Sequence, residues 1–263
     1  MIKFFRKIRY NLMETGKTSK YLKYAIGEII LVMIGILLAL QVNNWNELRK
    51  DGIIEQQVLS ELKEEYETNA RQLEGKIFLR NHIIKSSIEV LNLIDNPKNI
   101  STDSLIKKIA VIRYDPTFDP IENDLIPSGN IRLIQNNKLR KLLSNWSSEI
   151  ASVQEMELQW QKIRNETTIP YLLDLGIYRN IIDLNYDNNI SRTWSLNNLI
   201  VNKLTVGKSK KTPSVEQMLN NKELESIMSI AINQSNVINN QSVTLLNRIN
   251  EILELINSEI DND

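Results

Sequence analysis

The chain has 263 residues with 32 basic and 32 acidic side chains, so its formal net charge is zero. It has no cysteine and a single histidine, His82, which excludes disulfides, cysteine nucleophiles, thiolate metal sites and His-rich zinc sites. A hydrophobic fraction of 42% is enough for a core, and only eight glycines and six prolines favour long helices over a many-stranded sandwich.

The zero sum hides a gradient. Residues 1–23 hold seven bases (Lys3, Arg6, Lys7, Arg9, Lys17, Lys20, Lys23) and one acid, Glu14, a net of +6, and the remainder of the chain carries −6. Such end-loading points to a membrane, a nucleic acid or an address. Within this arm Ile2, Phe5, Ile8 and Leu12 share a helical face. That pattern fits a segment lying on an anionic leaflet as well as it fits a bare orientation signal.

Residues 24–42 follow, with no polar side chain between Ile29 and Leu40. Nineteen helical residues at about 1.5 Å each span roughly 28 Å, the thickness of a bilayer core. Tyr21 and Tyr24 mark one interface and Trp45 the other, as aromatic belts do. A buried helix of a soluble domain fits the basic flank poorly. A cleaved signal peptide would need a small-x-small site, and the nearest match, Ala39-Leu40-Gln41, ends on Gln. The expectation is an uncleaved signal anchor. The positive-inside rule then puts residues 1–23 in the cytoplasm and the rest, after the span, beyond the inner membrane in the periplasm.

Glu28 is costly inside a span unless it is neutral, paired or near an interface. It lies one turn inside the cytoplasmic boundary, where it can snorkel towards Lys20 and Lys23 or meet a partner helix. Gly27, Gly35 and Ala39 bear on the second reading. Gly35 and Ala39 form a small-x-x-x-small pair that lets helices approach. The partners expected are therefore the lipid bilayer and, through the span, a second copy or another membrane protein. No nucleic acid, cofactor or small-molecule ligand is indicated.

The run Tyr24-Ala-Ile-Gly-Glu28, the apolar span and Ala39-Leu-Gln-Val-Asn-Asn-Trp-Asn-Glu47 carry a resemblance. Together with the basic arm they resemble the N-terminal signature of a family of uncharacterised single-pass membrane proteins of Bacteroidota. The likeness covers about residues 1–47, with a weaker echo at Leu125-Ile-Pro-Ser-Gly-Asn-Ile-Arg-Leu-Ile134 and the leucines that follow. It implies an architecture, an anchored cell-envelope protein, and no mechanism.

Beyond the span, residues 46–95 show helical periodicity through Leu59, Leu62, Tyr66, Ala70, Leu73, Ile77, Ile84, Ile88 and Leu91, ended by Asn96-Pro97. Only Gly52 interrupts the path from the span into this helix. A short helix capped by Ser101 or Thr102 fits residues 101–113. Residues 114–130 hold three prolines and form a loop. A second long helix fits Asn137 to Thr168, with Leu139, Leu142, Trp146, Ile150, Val153, Trp160 and Ile163 on one face and a break at Pro170. Residues 177–213 look irregular and Asn-rich. Ser214-Val-Glu-Gln217 is a capping box. A last helix, 222–260, carries Ile227, Ala231, Ile238, Leu245, Ile249, Ile252, Ile256 and Ile260, with Gln234 and Gln241 interrupting its seam.

Long amphipathic helices must cover one another's apolar faces. The expected fold is therefore all-α: a transmembrane helix followed by an elongated antiparallel, coiled-coil-like bundle of three or four long helices. The expected divisions are a basic arm 1–23, an anchor 24–45 and an extracytoplasmic domain 46–263.

Chemistry is sparse. Asp115, Asp119, Glu122 and Asp124 are the best acid cluster, but their spacing lacks the EF-hand order and glycine, and Asp-Pro pairs ordinarily serve turns. His82 has no second His beside it. Ser128-Gly129 lacks the frame of a nucleophile elbow, and Gly129 fits a left-handed turn. No phosphate loop or dinucleotide fingerprint occurs. The sequence thus favours an anchored interaction or sensing module of the cell envelope. Its rival is a tethered enzyme or metal-binding domain built on loop 114–130.

Overall fold

The computed structural model describes residue 10 and residues 18–122, 129–185 and 206–260. The described residues are helical or irregular and contain no strand. We number the helices α1 (Thr18–Asp95), α2 (Thr102–Ile109), α3 (Asn137–Ile163), α4 (Ile169–Asp174), α5 (Tyr178–Asn185), α6 (Val215–Leu219) and α7 (Lys222–Ile260). The chain divides into two compact units, Met1–Val58 and Leu59–Asp263, with the boundary inside α1.

The first unit contributes the N-terminal part of α1. This is the one described helix long and apolar enough to cross a membrane, and none of its most apolar window is buried. From Ile29 to Val42 every residue is exposed, and so is Trp45. Gly52 lies within the helix and does not end it.

In the second unit, α1 buries Leu59, Leu62, Tyr66, Asn69, Leu73, Arg80, Ile83, Ser87 and Val90, with Lys76 half-buried between them. These positions alternate steps of three and four, the spacing of a coiled-coil seam. Helix α3 buries Leu139, Leu142, Trp146, Ile150, Val153, Glu157 and Trp160. Helix α7 buries Leu224, Met228, Ala231, Ser235, Ile238, Ser242, Leu245, Ile249, Ile252 and Ile256, again at four-and-three steps. Each apolar member contributes on the order of 1.5–3 kcal/mol when fully buried.

Directions follow from the contacts. Tyr66 of α1 packs its ring 4.9 Å from that of Trp146 on α3, and Arg80 meets Glu157 eleven residues on along α3. Helices α1 and α3 therefore run the same way. Helix α7 runs against both: Asn136 meets Glu259 and Glu149 meets Arg248, while Asn81 meets Asn239. Of the expected antiparallel bundle, α7 runs antiparallel to the other two long helices, while α1 and α3 run parallel to each other. The chain returns between α1 and α3 through an extended segment, Tyr114–Glu122, here called the strap.

Several local signals act as their chemistry requires. Ser101 caps α2 through the Ser104 N–H, and Asn136 caps α3 through the Lys138 and Leu139 N–H groups. Both bonds of the Ser214–Gln217 capping box form. Gly129 adopts a left-handed φ of +77° ahead of a 3-10 turn, Asn130–Leu133.

Other expectations are corrected. Pro170 does not break the second long helix. A π-helical turn, Arg164–Thr168, precedes it, and Pro170 sits at the start of α4 directly after that turn, so the helical run continues through it. Residues 178–185 are helical instead of irregular. Asp183 accepts from the Gly207 N–H, and Asn180 accepts from the Ser209 N–H and donates to Thr212, so α5 and the returning chain at 206–212 are tied together. The Asn-rich stretch 186–205 lies outside the described residues. At this end, α2, α4, α5 and α6 close the core with Ile106, Ile109, Leu172, Ile181 and Met218.

Candidate functional site

Two features stand out from ordinary packing. One is the exposed apolar helix of the first unit. The other is a layer of polar side chains inside the second.

In the apolar stretch, Gly35, Ala39 and Trp45 are exposed, and a Cβ added at Gly27 or Gly35 would meet nothing within 4 Å. The backbone is therefore open to close approach at both glycines. Glu28 is half-exposed and engaged with its surroundings. The side chains of Tyr21 and Tyr24, and most of the basic arm, fall outside the described ones.

The polar layer is set by three helices. Arg80 of α1 is 1% exposed and Glu157 of α3 is 3% exposed, and the two form an ion pair. Arg80 also donates through Nη1 to Ser242 Oγ of α7 at 2.8 Å and through Nη2 to the Pro116 carbonyl at 2.6 Å. The second Glu157 oxygen accepts the Phe118 N–H at 2.9 Å. One buried pair thus joins α1, α3, α7 and the strap. Next to it Asn239 donates to Asn81 Oδ1 at 2.9 Å.

The strap itself is anchored by side chains. Its N–H and carbonyl groups have no ladder to join, and backbone polar groups away from water must be paired. Asn69, fully buried, donates to the Ile121 carbonyl at 2.9 Å and accepts the Ile121 N–H at 2.8 Å. Gln72 does the same for Asp119, at 2.7 and 2.9 Å. The two side-chain amides stand in for a neighbouring strand. Trp160 donates its indole N–H to the Tyr114 carbonyl at 2.9 Å. The register is that of an extended chain: from Pro116 beside Arg80 to Ile121 beside Asn69 the strap advances five residues at about 3.3 Å, while α1 recedes eleven at about 1.5 Å, roughly 16 Å each. Pro116 and Pro120 occupy positions where no N–H is called on. Phe118, 2% exposed, anchors the middle.

Electrostatics reflect the burial. Desolvation lowers Arg80 to about 10, against the pull of Glu157 and Asp115. Desolvation pushes Glu157 up to about 7, opposed by Arg80, the Phe118 N–H and Lys76. Lys76 is lowered by burial. His82 is half-buried on α1 and lowered by burial too.

Of the acid cluster expected from the sequence, Asp115, Asp119 and Glu122 are described and make separate contacts. Asp115 accepts from Arg164 at 2.9 Å and from Gln161 at 3.1 Å. Asp119 is exposed and held by its backbone. Glu122 is exposed, with Ser147 Oγ at 3.4 Å, and Asp124 lies outside the described residues. Among the described residues no group of three or more His, Asp or Glu is placed to hold a metal. Lys208 pairs with Asp103 and does not stand alone in solvent, while Lys210 and Lys211 are exposed.

Arg80, Glu157, Asn69 and Ser242 were not singled out from the sequence. Their signal was positional: each sits where the three-and-four spacing demands a core residue. Gln241, read as interrupting the α7 seam, is exposed, and the polar members of that seam are Ser235, Asn239 and Ser242. The chain matches no family model, no curated protein and no solved structure.

Proposed function

We propose that the protein is a membrane-anchored, extracytoplasmic interaction or sensing module of the bacterial cell envelope. The observation that carries this reading is the apolar helix segment with no buried face, flanked on its N-terminal side by a +6 arm. A helix apolar all round is unfavourable in water and favourable in hydrocarbon, where its backbone bonds are internally satisfied. Charge asymmetry supports an N-terminus in the cytoplasm of an inner membrane and a periplasmic helical domain. The resemblance to anchored Bacteroidota proteins supports the same setting. The open backbone at Gly27 and Gly35, with Ala39 on the exposed helix, is compatible with a second copy or another membrane protein packing on the span. Asp115, one of the acids on which a tethered enzyme would rest, is engaged by Arg164.

The absence of native cysteine makes the topology directly testable. Lys210→Cys, on the exposed turn before α6, should react with a membrane-impermeant thiol reagent in cells whose outer membrane alone is permeabilised. Labelling only after lysis overturns the periplasmic placement.

A further inference from the structure

Helix α7 carries a second heptad pattern on the side away from the core. Residues 226–247 include no charged side chain, while Glu223 and Glu225 precede this run and Arg248 and Glu251 follow it. Ile230, Val237 and Thr244 recur every seven residues, with Ser226, Asn233, Asn240 and Asn247 among them at steps of four and three. All of these are exposed, Ile230 at 39% and Val237 at 38%. They occupy the a and d positions of a coiled-coil seam. Ser235, Ser242 and Ile249, on the far side of the same heptad, are buried in the bundle, so one helix presents two seams on opposite sides.

A solvated helix face ordinarily carries charge. The other long helices of this unit do so: α1 exposes Glu61, Glu64, Arg71 and Glu74, and α3 exposes Lys138, Lys141, Glu155 and Lys162. On α7 the outward a positions hold β-branched residues, which gain little as solvated helix formers. Depletion of charge is the compositional mark of an interface core. The occupant follows from the same chemistry. A charged face repels its own copy, and this face holds no charge to repel. A carboxamide both donates and accepts, so a row of asparagines is complementary to itself. The chain already makes such a pair between two helices, where Asn239 of α7 donates to Asn81 of α1 at 2.9 Å. The Thr244 hydroxyl is taken up by the Asn240 carbonyl of its own helix at 3.1 Å. β-branched residues at the a positions favour two parallel strands. We infer that the outward face of α7, residues 226–247, is a homodimer interface that packs in parallel against α7 of a second copy. The inference stands on the second unit alone and does not depend on the first unit being a membrane anchor.

Disulfide trapping tests the pairing, because the full chain has no cysteine of its own. Ile230→Cys, Val237→Cys and Thr244→Cys each supply one thiol. Each variant is oxidised with copper phenanthroline in whichever cell fraction holds the full chain. In a parallel pair every a position meets its own copy, so all three should shift from 30.5 kDa to twice that mass on a non-reducing gel. Glu155→Cys, exposed on α3, should stay monomeric. Val237→Lys added to Ile230→Cys sets two lysines against each other in the seam. It should abolish the shift and leave the helical circular dichroism unchanged, since Val237 lies outside the buried seam. If that variant does not accumulate, Asn240→Asp makes the same test with two carboxylates. The inference is overturned by no shift at the three seam positions, by an equal shift in Glu155→Cys, or by a shift that survives the added charge. A shift at Val237→Cys alone, the mark of an antiparallel pair, or a crosslinked band of any other mass overturns it as well.

Discussion

Residues 25–42 and residues 59–94 belong to the same helix, α1, yet they solve opposite problems. The first stretch is apolar on every side, exposes every residue from Ile29 to Val42, and needs no stripe. The second is polar over much of its surface and concentrates burial on one seam. That seam admits Asn69 and Arg80, whose polar groups are met by the strap and by α3 and α7. On the proposed membrane reading, the difference teaches how the surrounding medium writes sequence. A helix facing hydrocarbon has all its backbone bonds within itself and tolerates apolar residues anywhere. A helix facing protein on one side and water on the other must be amphipathic, and the polar residues of its seam are met by what packs against them: Asn69 by the strap, and Arg80 by α3, α7 and the strap.

The sharpest way to break the comparison is to give the first stretch the charge that the second accommodates. Ile34→Arg with Leu38→Arg should cost about 5–7 kcal/mol of insertion, at about 2.5–3.5 for each central arginine. The protein should then leave the alkali-resistant membrane pellet, and continued retention there would place the anchor elsewhere. In the second stretch, Arg80→Met strands the Glu157 carboxylate in the core. It should lower unfolding stability by about 3–5 kcal/mol, measured in urea. Arg80→Met combined with Glu157→Leu should recover most of that loss, because a buried pair can be replaced by packed apolar groups. A double variant as unstable as the single one would mean that the layer is required for packing and not only for charge balance. The smallest effect belongs away from both stretches: Ser214→Ala removes the capping box of α6 and should cost about 0.5–2 kcal/mol, read from thermal unfolding.

Legibility from sequence followed the locality of each interaction. Caps at Ser101 and Ser214, the turn at Gly129 and the end of α1 at Asn96-Pro97 depend on a few adjacent residues, and the structure forms them where the residues stand. The seams were only half legible. On α1 the apolar run through Leu59, Leu62, Tyr66 and Leu73 coincides with the buried seam, whereas Ile77, Ile84 and Ile88 lie off it, Ile88 being 44% exposed. The true seam continues through Lys76, Arg80, Ile83 and Ser87. A periodicity search keeps apolar residues, so it steps off the seam wherever the core is polar. The same blindness hid Glu157 on α3 and Ser242 on α7. Pro170 misled for another reason: a π turn upstream resets the register, and no local signal announces it.

Composition, charge asymmetry and periodicity by themselves determined an all-helical chain with one apolar, basic-flanked helix near its N-terminus, because these are sums over neighbouring residues. Only the tertiary structure decided that α1 and α3 run parallel, that the Pro-rich segment between them is a strap held by Asn69 and Gln72, and that Arg80, Glu157 and Ser242 form one layer. Those partners are 77 and 162 residues from Arg80 along the chain. Their complementarity exists only once three seams are brought face to face, where a charge left without its partner would be strongly unfavourable.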